Sequence, residues 1–384
     1  MKRIRIGFIL FIIVMLIVSG CNSNSASTNE STSEPKAATE EKGAVETKEM
    51  TIEEIANLEG SEREQLLVEG AKKEGKLTWY TTYIVDQAVR PVIEAFNEKY
   101  PFITVEYYRG NNSQILEKVL NEHRANRHQV DVIDASDLVL TLKQNGDILQ
   151  KVQSPHLSQY PDEIKDPDQL WAAANLFYIT IGYNTKLVPE GQVPKTYEDL
   201  LNPQWKGGMA WNSVGVFGGP GFVGNILKNY GEEKGMEYLE KLSQQKVINM
   251  DASARAVLDR SIAGEFPIAL QIFSHHPLIS AAQGAPVDWQ PLDPVLLTPN
   301  VVLMAKHSPN PYSAMLFIDF LLDKEGGQQI LSEANYIPAH PEVPIAYEEL
   351  RPEVSKFEAS FMSPEQIGQD LQKWTEVFNK LFMK

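Results

Sequence analysis

The chain has 384 residues, 43% of them hydrophobic and 22% charged, so it can bury a large core and form two domains. Its formal net charge of −16 argues against nucleic acid and anionic membrane surfaces as partners, because both would repel it. A small anionic ligand is not excluded, because backbone N–H groups at helix N-termini attract anions locally.

The start of the chain has the pattern of an export signal. Basic residues precede an unbroken apolar run from Phe8 to Val18, which is shorter than the roughly 20 residues that span a bilayer. Small residues and Cys21, the only cysteine, follow the run. We predict a lipoprotein signal peptide (1–20) and lipidation of Cys21; the alternative is ordinary secretory cleavage beside an incidental cysteine. No disulfide is expected.

Residues 21–50 are rich in Ser, Thr, Glu, Ala and Asn and contain no aromatic residue, Leu or Ile. Such a segment cannot bury enough apolar surface to fold, so we predict a disordered tether. The protein is therefore expected on the extracytoplasmic side of the cell membrane, held there only through its lipid.

The next part of the chain alternates between predicted helices and strands. A helix is predicted over 51–74, with Ser61 and Glu64 as a capping box. Strands follow at 76–82, 103–108 and 130–133, with helices between them at 86–100 and 113–124. This order predicts a parallel sheet with helices on both faces.

The carboxyl ends of these three strands carry small polar residues, and ligands of open parallel sheets bind at that edge. Each residue alone could simply cap a helix, but the convergence of three loops favours a ligand cleft. The loops are Thr81-Thr82, Gly110-Asn111-Asn112-Ser113 and Asp134-Ala135-Ser136.

Two further strands are predicted to connect two lobes. Residues 177–183 alternate β-branched and aromatic side chains, and Asn300–Lys306 is similar in character. A second α/β unit lies between them, so both are interpreted as hinge crossings. We expect the strand at 177–183 to bend and not to contact a ligand.

The second unit and the end of the chain complete the predicted elements. Strands are expected at 207–211, 247–249, 267–273 and 287–292, and helices at 196–201, 222–230, 232–244, 252–263, 312–322, 327–334 and 364–382.

Gly219, Gly221 and Gly224 match the dinucleotide-binding spacing GxGxxG. The preceding strand ends too early, near Trp211, and Pro220 occupies a spacer position where the tight turn is needed. Simple packing of a helix on the sheet is the favoured interpretation, and a helix start whose backbone amides approach a ligand is the alternative.

His275-His276 is the most conspicuous chemical pair. It could bind a metal, contact an organic ligand, or form a turn. No cysteine, Asp or Glu stands beside it at zinc-ligand spacing, so we expect no metal and no cofactor. Nucleophile-elbow and phosphate-loop motifs are missing, so no enzyme is predicted.

Seven segments between about Glu69 and Pro344 resemble the extracellular solute-binding proteins of ABC importers, in the branch that includes ferric-ion, thiamine and 2-aminoethylphosphonate binders. They are LTWYTT (77–82), VDVIDAS (130–136), IGYNTKLVP (181–189), TYEDLLNPQWKGGMAW (196–211), AGEFPIALQIFSHH (263–276), YSAMLFIDFLLDKEGGQQIL (312–331) and NYIPAHPEVP (335–344).

The resemblance implies a two-lobed α/β fold of the type-2 periplasmic binding class, each lobe a mostly parallel sheet flanked by helices and joined by two hinge strands. Lobe 1 would be 51–176 plus 304–384, and lobe 2 would be 177–303, with crossings near 177–184 and 300–306. The ligand-binding residues implied are Thr81, Thr82, Asn112, Ser113, Asp134 and Ser136 on one wall, and Trp211, Asn212, Ser213, Ser274, His275 and His276 on the other.

Ferric binders of this branch carry adjacent tyrosines where this chain has Ser274-His275-His276, and phenolate oxygens hold the ferric ion there. This departure argues against iron and favours an anionic organic solute, such as a phosphonate or a phosphorylated metabolite. We expect a monomeric receptor that delivers a small solute to an ABC permease and its ATPase. The alternatives are a ferric-iron binder, an accessory of a sensor kinase, and an exported hydrolase.

Overall fold

The computed structural model describes residues 50–58 and 60–383. The predicted signal peptide, Cys21 and the predicted tether except Met50 lie outside the described residues. Within them, no helix combines the length and the apolar character needed to cross a membrane.

Helices account for much of the described chain. They are α1 (Ile52–Ala56), α2 (Gly60–Glu74), α3 (Arg90–Lys99), α4 (Asn112–Arg124), α5 (Val139–Gln144), α6 (Gly219–Tyr230), α7 (Glu232–Ser243), α8 (Ala254–Ile262), α9 (His275–Ala282), α10 (Pro311–Leu322), α11 (Gly327–Glu333), α12 (Pro352–Ser355) and α13 (Pro364–Phe382). A π-helical turn, Val85–Val89, leads into α3.

The strands are β1 (Lys76–Thr81), β2 (Thr104–Arg109), β3 (Val132–Ala135), β4 (Leu149–Gln150), β5 (Ala172–Asn184), β6 (Met209–Asn212), β7 (Ile248–Met250), β8 (Ile268–Phe273), β9 (Val287–Gln290), β10 (Val295–Ala305), β11 (Ile337–Pro338) and β12 (Ala359–Phe361).

The sheet has two parallel parts on either side of a central antiparallel pair. Its order is β2-β1-β3-β10-β5-β8-β6-β7. Strands β1, β2 and β3 pair in parallel, as do β8, β6 and β7. The short strands β4 and β12 pair with β10, and β9 and β11 pair with β5. The predicted α/β alternation is confirmed in both parts.

The central strands β5 and β10 are the two predicted crossings, and they pair directly with each other. Their register runs from Ala172 opposite Val302 to Ile179 opposite Leu296, with a bulge at Asn300. Both strands begin about five residues earlier than predicted. Nearly every residue of the extensions is buried, so no polar alternation marks their start in the sequence.

The first predicted helix is two helices, and its predicted capping box is wrong. Ser61 lies inside α2, whereas Thr51 caps α1. The Thr51 Oγ1 accepts from Glu54 N at 3.2 Å, and the Glu54 carboxylate accepts from Thr51 N at 2.7 Å. The same S/T-x-x-E spacing therefore occurs twice, and the earlier copy forms the box.

The last helix, α13, contacts elements from both parts of the chain. Its Glu365 accepts from Lys143 Nζ at 2.8 Å and from Trp171 Nε1 at 2.7 Å, whereas its later turns pack on α6. A Cβ on Gly219 or Gly224 of α6 would overlap aromatic rings of α13. Gly219 and Gly224 thus allow α6 to pack closely on another helix, α13, and not on the sheet as predicted. The predicted lobe boundaries place all of α13 in lobe 1, so its contacts with α6 cross that division.

Candidate functional site

A cleft lies at the carboxyl ends of β1, β2 and β3. It consists of an inner cavity of about 360 Å³ and an adjoining outer cavity of about 600 Å³. One wall of the inner cavity, the first wall, contains Thr82, Tyr83, Ile84, Arg109, Asn112 and Ser136. The facing second wall contains Phe217, Ser253, Ala254, Arg255, Phe273, His275 and His276. Phe177 of β5 and Tyr336 complete the lining.

The first wall is held in place by one buried carboxylate. Asp134 Oδ1 accepts from the Thr82 backbone N–H at 3.1 Å, from the Thr82 hydroxyl at 2.9 Å and from Asn300 Nδ2 at 3.1 Å. Asn300 in turn accepts from the Ser136 hydroxyl at 3.2 Å. Burial raises the pKa of Asp134, although hydrogen bonds from Thr81, Asn300 and Thr82 oppose the rise. Asp134 and Thr81 therefore lie behind the wall and position Thr82 and Ser136, which line it.

The N-terminus of α4 forms the rim of the same wall. Asn111 caps the helix by accepting from Gln114 N at 2.9 Å, and Asn112 and Ser113 line the outer cavity. Beside them, burial raises the pKa of Asp137 to about 6, against a hydrogen bond from Asn112. The helix N-terminus directs positive potential toward the outer cavity.

Arg109 is a basic residue of the first wall that the sequence interpretation missed. It is the last residue of β2, lines both cavities, and is exposed. No residue in the described part of the chain accepts a hydrogen bond from its guanidinium or forms an ion pair with it. The sequence did contain a signal for this residue, namely a basic side chain directly after a predicted strand, at the edge where ligands bind.

The histidine pair occupies the first turn of α9 in the second wall. The rings of His275 and His276 lie 4.5 Å apart, and neither Nδ1 has a hydrogen-bond partner among the described residues. Burial lowers the pKa of His275 well below its usual value and that of His276 to about 3, and Arg255 adds to both shifts. Both imidazoles are therefore neutral at physiological pH.

Aromatic rings surround this pair. Phe177 lies 4.7 Å from Phe273 and 5.7 Å from Phe217, and Phe217 lies 4.9 Å from Phe273, measured between ring centroids. The ring of Tyr336 lies 5.8 Å from that of His275. The predicted crossing strand was not expected to contact a ligand, but its Phe177 lines the inner cavity. The periodicity of a strand shows on which face of the sheet a side chain lies. It does not show which other part of the protein, or which cavity, lies against that face.

Two predicted second-wall residues are turned away from the cleft. Trp211 is fully buried, packs 5.5 Å from Phe378 of α13, and donates to Asn249 Oδ1 at 2.7 Å. The Ser213 hydroxyl donates to Met250 O at 3.1 Å. Trp211 lies in β6 and Ser213 directly follows it. Their hydrogen-bond partners belong to β7, and Trp211 also packs on α13.

Asn212 and Ser274 differ in their positions. Asn212 lines the outer cavity, but its amide is bonded to its own turn through Val214 O at 3.0 Å and Val214 N at 3.1 Å. Ser274 is fully buried and does not line either cavity. Of the predicted residues, those that line the cleft are Thr82, Asn112, Ser113, Ser136, Asn212, His275 and His276.

The charges of the inner cavity are of one sign. Arg109 and Arg255 line it, and no Asp or Glu belongs to its described lining. Arg255 is bonded to Asp259 at 2.8 Å, outside the lining. In the described residues there is no group of three or more His, Cys, Asp or Glu side chains that could hold a metal ion. The arrangement suits a negatively charged organic ligand.

The family profile described as "Bacterial extracellular solute-binding protein" matches residues 128–356. A curated relative, "Iron uptake protein A1" of Synechocystis, is 25% identical over an alignment of 292 residues that covers 72% of this chain and 79% of the relative.

Solved structures share the fold. Iron-bound HitA from Pseudomonas aeruginosa has a TM-score of 0.68 at 21% identity, over 80% of this chain and 99% of HitA. AfuA from Actinobacillus pleuropneumoniae, with fructose-6-phosphate bound, has a TM-score of 0.65 at 17% identity, over 80% of this chain and 98% of AfuA. The predicted two-lobed type-2 periplasmic binding fold is thereby confirmed, and the chain belongs to the family of bacterial extracellular solute-binding proteins.

Proposed function

We propose that this protein captures an anionic organic solute in the cleft between its two walls. The observation that carries the proposal is the pair Arg109 and Arg255, which line one cavity that contains no carboxylate in its lining. Arginine side chains bind carboxylates and phosphates through paired, charge-assisted hydrogen bonds. In the described chain the Arg109 guanidinium forms no hydrogen bond and no ion pair, so a ligand anion would be its first such partner.

We propose that ligand binding closes two lobes about the paired strands β5 and β10. Lobe 1 comprises residues 51–176 and 304–384, and lobe 2 comprises residues 177–303. The position of this pair, between the two parallel parts of the sheet, supports a hinge role. A solute that touches both walls stabilises the closed state by its extra contacts there. Membership of a solute-binding family favours binding over catalysis.

Delivery is proposed to an ABC permease and its ATPase, with the protein acting as a monomer. The lipoprotein-like sequence that ends at Cys21 supports a lipid anchor on the extracytoplasmic side, after removal of residues 1–20. Mass spectrometry of the membrane-extracted protein tests this: a diacylglyceryl group on Cys21 is expected, and a mature N-terminus at any other residue would contradict it.

Ferric iron is the second candidate, because relatives are named for iron uptake and iron binding. The chemistry of the cleft favours it less. No Asp or Glu belongs to the described lining of the inner cavity, and both of its tyrosine hydroxyls are hydrogen-bonded within the chain: Tyr83 donates to Asn175 Oδ1 at 2.7 Å, and Tyr336 accepts from Ile84 N at 3.5 Å.

A thermal-shift panel on the chain from residue 22 onward decides between these solutes. It contains organic phosphates, phosphonates, carboxylates, thiamine, a ferric salt and ferric citrate. A true ligand at about 100 times its Kd stabilises the fold by about 2.7 kcal/mol. Stabilisation by organic anions without iron is expected; a shift with ferric ion alone would overturn the proposal in favour of iron.

A further inference from the structure

The inner cavity has an apolar side that a ferric ion or a small inorganic anion would leave in contact with water. We propose that the solute carries a planar, unsaturated ring beside its anionic group, and that Phe177, Phe217 and Phe273 select this ring. The inference rests on the proposed function and specifies its substrate class.

The three phenylalanine rings form one cluster with mutual centroid distances of 4.7 to 5.7 Å. Phe217 and Phe273 are only partly buried, and Ile84 across the cavity is 45% exposed. An apolar group of the ligand would remove this surface from water. Rings at these spacings also favour an aromatic partner, because offset and edge-to-face contacts add to simple burial.

The imidazoles extend this aromatic surface with polar ring edges. His275 stacks on Phe177 at 6.4 Å with an interplanar angle of 20°, and His276 lies 5.2 Å from Phe273. Neither imidazole forms a hydrogen bond with another described residue, although each neutral ring has one N–H donor and one acceptor nitrogen. A ligand ring with a hydroxyl, carbonyl or ring nitrogen would satisfy them, since buried polar groups are normally paired.

The cations fix where the negative group would lie. Arg109 ends β2 on the first wall, and Arg255 lies in the first turn of α8 on the second wall. A ligand whose anionic group reaches the arginines and whose ring reaches the phenylalanines contacts both walls at once. A sugar ring offers only a small C–H patch to Phe177, Phe217 and Phe273, and these rings provide no hydrogen-bond partner for its hydroxyl groups.

Isothermal titration calorimetry with three matched monoesters tests the inference on the chain from residue 22 onward. Phenyl phosphate, cyclohexyl phosphate and ethyl phosphate share a head group and differ in ring planarity and apolar area. Phenyl phosphate is expected to bind roughly tenfold more tightly than cyclohexyl phosphate and more than tenfold more tightly than ethyl phosphate. Benzoate and cyclohexanecarboxylate repeat the comparison for a carboxylate head group.

The variant Phe217→Leu keeps an apolar side chain but loses the ring, so we expect the preference for the phenyl ester over the cyclohexyl ester to fall to about twofold or less. The control Phe102→Leu changes a partly buried phenylalanine outside the cleft and should keep the full preference.

The outcomes separate the two levels of the proposal. If all three esters bind with similar affinity, the ring inference is wrong and the anion proposal stands. If the preference persists undiminished in Phe217→Leu, the assignment of ring selection to the phenylalanine cluster is wrong. If no ester and neither carboxylate binds while ferric ion or thiamine does, both the inference and the proposed function are overturned.

Discussion

The two walls of the cleft are built from different chemistry. The first wall is polar and its side chains are fixed by a buried hydrogen-bond network around Asp134 and Asn300. The second wall is aromatic, and its polar atoms at His275 and His276 have no partner among the described residues. The contrast indicates that the network around Asp134 is paired without a ligand, whereas Arg109 on the first wall and the two histidines on the second wall are free to pair with one.

The sharpest way to test the second wall is through acid stability. The pKa values of His275 and His276 are lowered in the folded chain, so the unfolded chain binds more protons once the pH falls below about 6.5. Stability is therefore full above that pH and decreases on acidification, by up to about 1.4 kcal/mol per pH unit for each imidazole.

The double variant His275→Gln, His276→Gln removes this dependence. Urea unfolding between pH 7.5 and 5 should show a shallower loss of the free energy of unfolding in the variant than in the wild type. The pKa of Asp137 is raised to about 6, so its contribution to the free energy of unfolding is lost as the pH rises, which is the opposite direction. This contribution is the same in both proteins. Parallel pH profiles would show that the histidines titrate normally and are not buried as described.

The first wall is tested by removing its central acceptor. Asp134→Ala leaves the Thr82 backbone N–H, the Thr82 hydroxyl and the Asn300 amide without their acceptor. We expect the free energy of unfolding to fall by about 3 kcal/mol, as for a buried network that loses one member. The control Ser113→Ala changes an exposed residue of the same rim and should stay within about 0.5 kcal/mol of the wild type. Equal losses in both variants would contradict the proposed role of Asp134.

The charge of the first wall is tested at Arg109. Replacing it by Gln removes a cation that has no described partner in the free protein, so stability should hardly change. Affinity for an anionic ligand should fall roughly tenfold to a hundredfold, as for one lost charge-assisted hydrogen bond. Arg124→Gln removes the same charge from the last turn of α4 and serves as the control. An equal loss of affinity in both variants would mean that only net charge matters.

The smallest effect is expected at Asn212 on the rim of the second wall. Its amide oxygen and nitrogen are already bonded to Val214 in the turn after β6. Asn212→Ala should therefore change ligand affinity less than twofold and cost about 1 kcal/mol of stability. A tenfold loss of affinity would place the Asn212 side chain among the ligand contacts. Both walls would then contribute polar side chains to binding.

Most regular elements could be predicted because their signals are local. The run of aromatic and Thr residues in β1 and the buried stripe of Val92 and Phe96 in α3 are signals that a short window contains. The short strands β4, β11 and β12 were missed because two or three residues carry no period, and their pairing with β5 and β10 comes from distant parts of the chain.

The polar loops of the cleft could also be predicted, because parallel strands bring their carboxyl ends to one edge. Its aromatic side could be predicted only in part. His275 and His276 are conspicuous in the sequence, whereas Phe177 and Tyr336 look like ordinary core in their own segments and meet the histidines only through the tertiary fold. Trp211 shows the reverse error: it is the last residue of the predicted strand at 207–211 and lies in β6, but α13 covers it.

Small-angle X-ray scattering tests the central claim most directly, namely that a solute bridges both walls and closes them. The chain from residue 22 onward is measured alone and with a saturating anionic ligand identified by thermal shift, with Arg109→Gln at the same ligand concentration as the control. We expect a smaller radius of gyration for the liganded wild type and little change for the variant. An unchanged radius of gyration in the wild type, with the site shown to be saturated by calorimetry, would contradict closure of the two walls around the ligand.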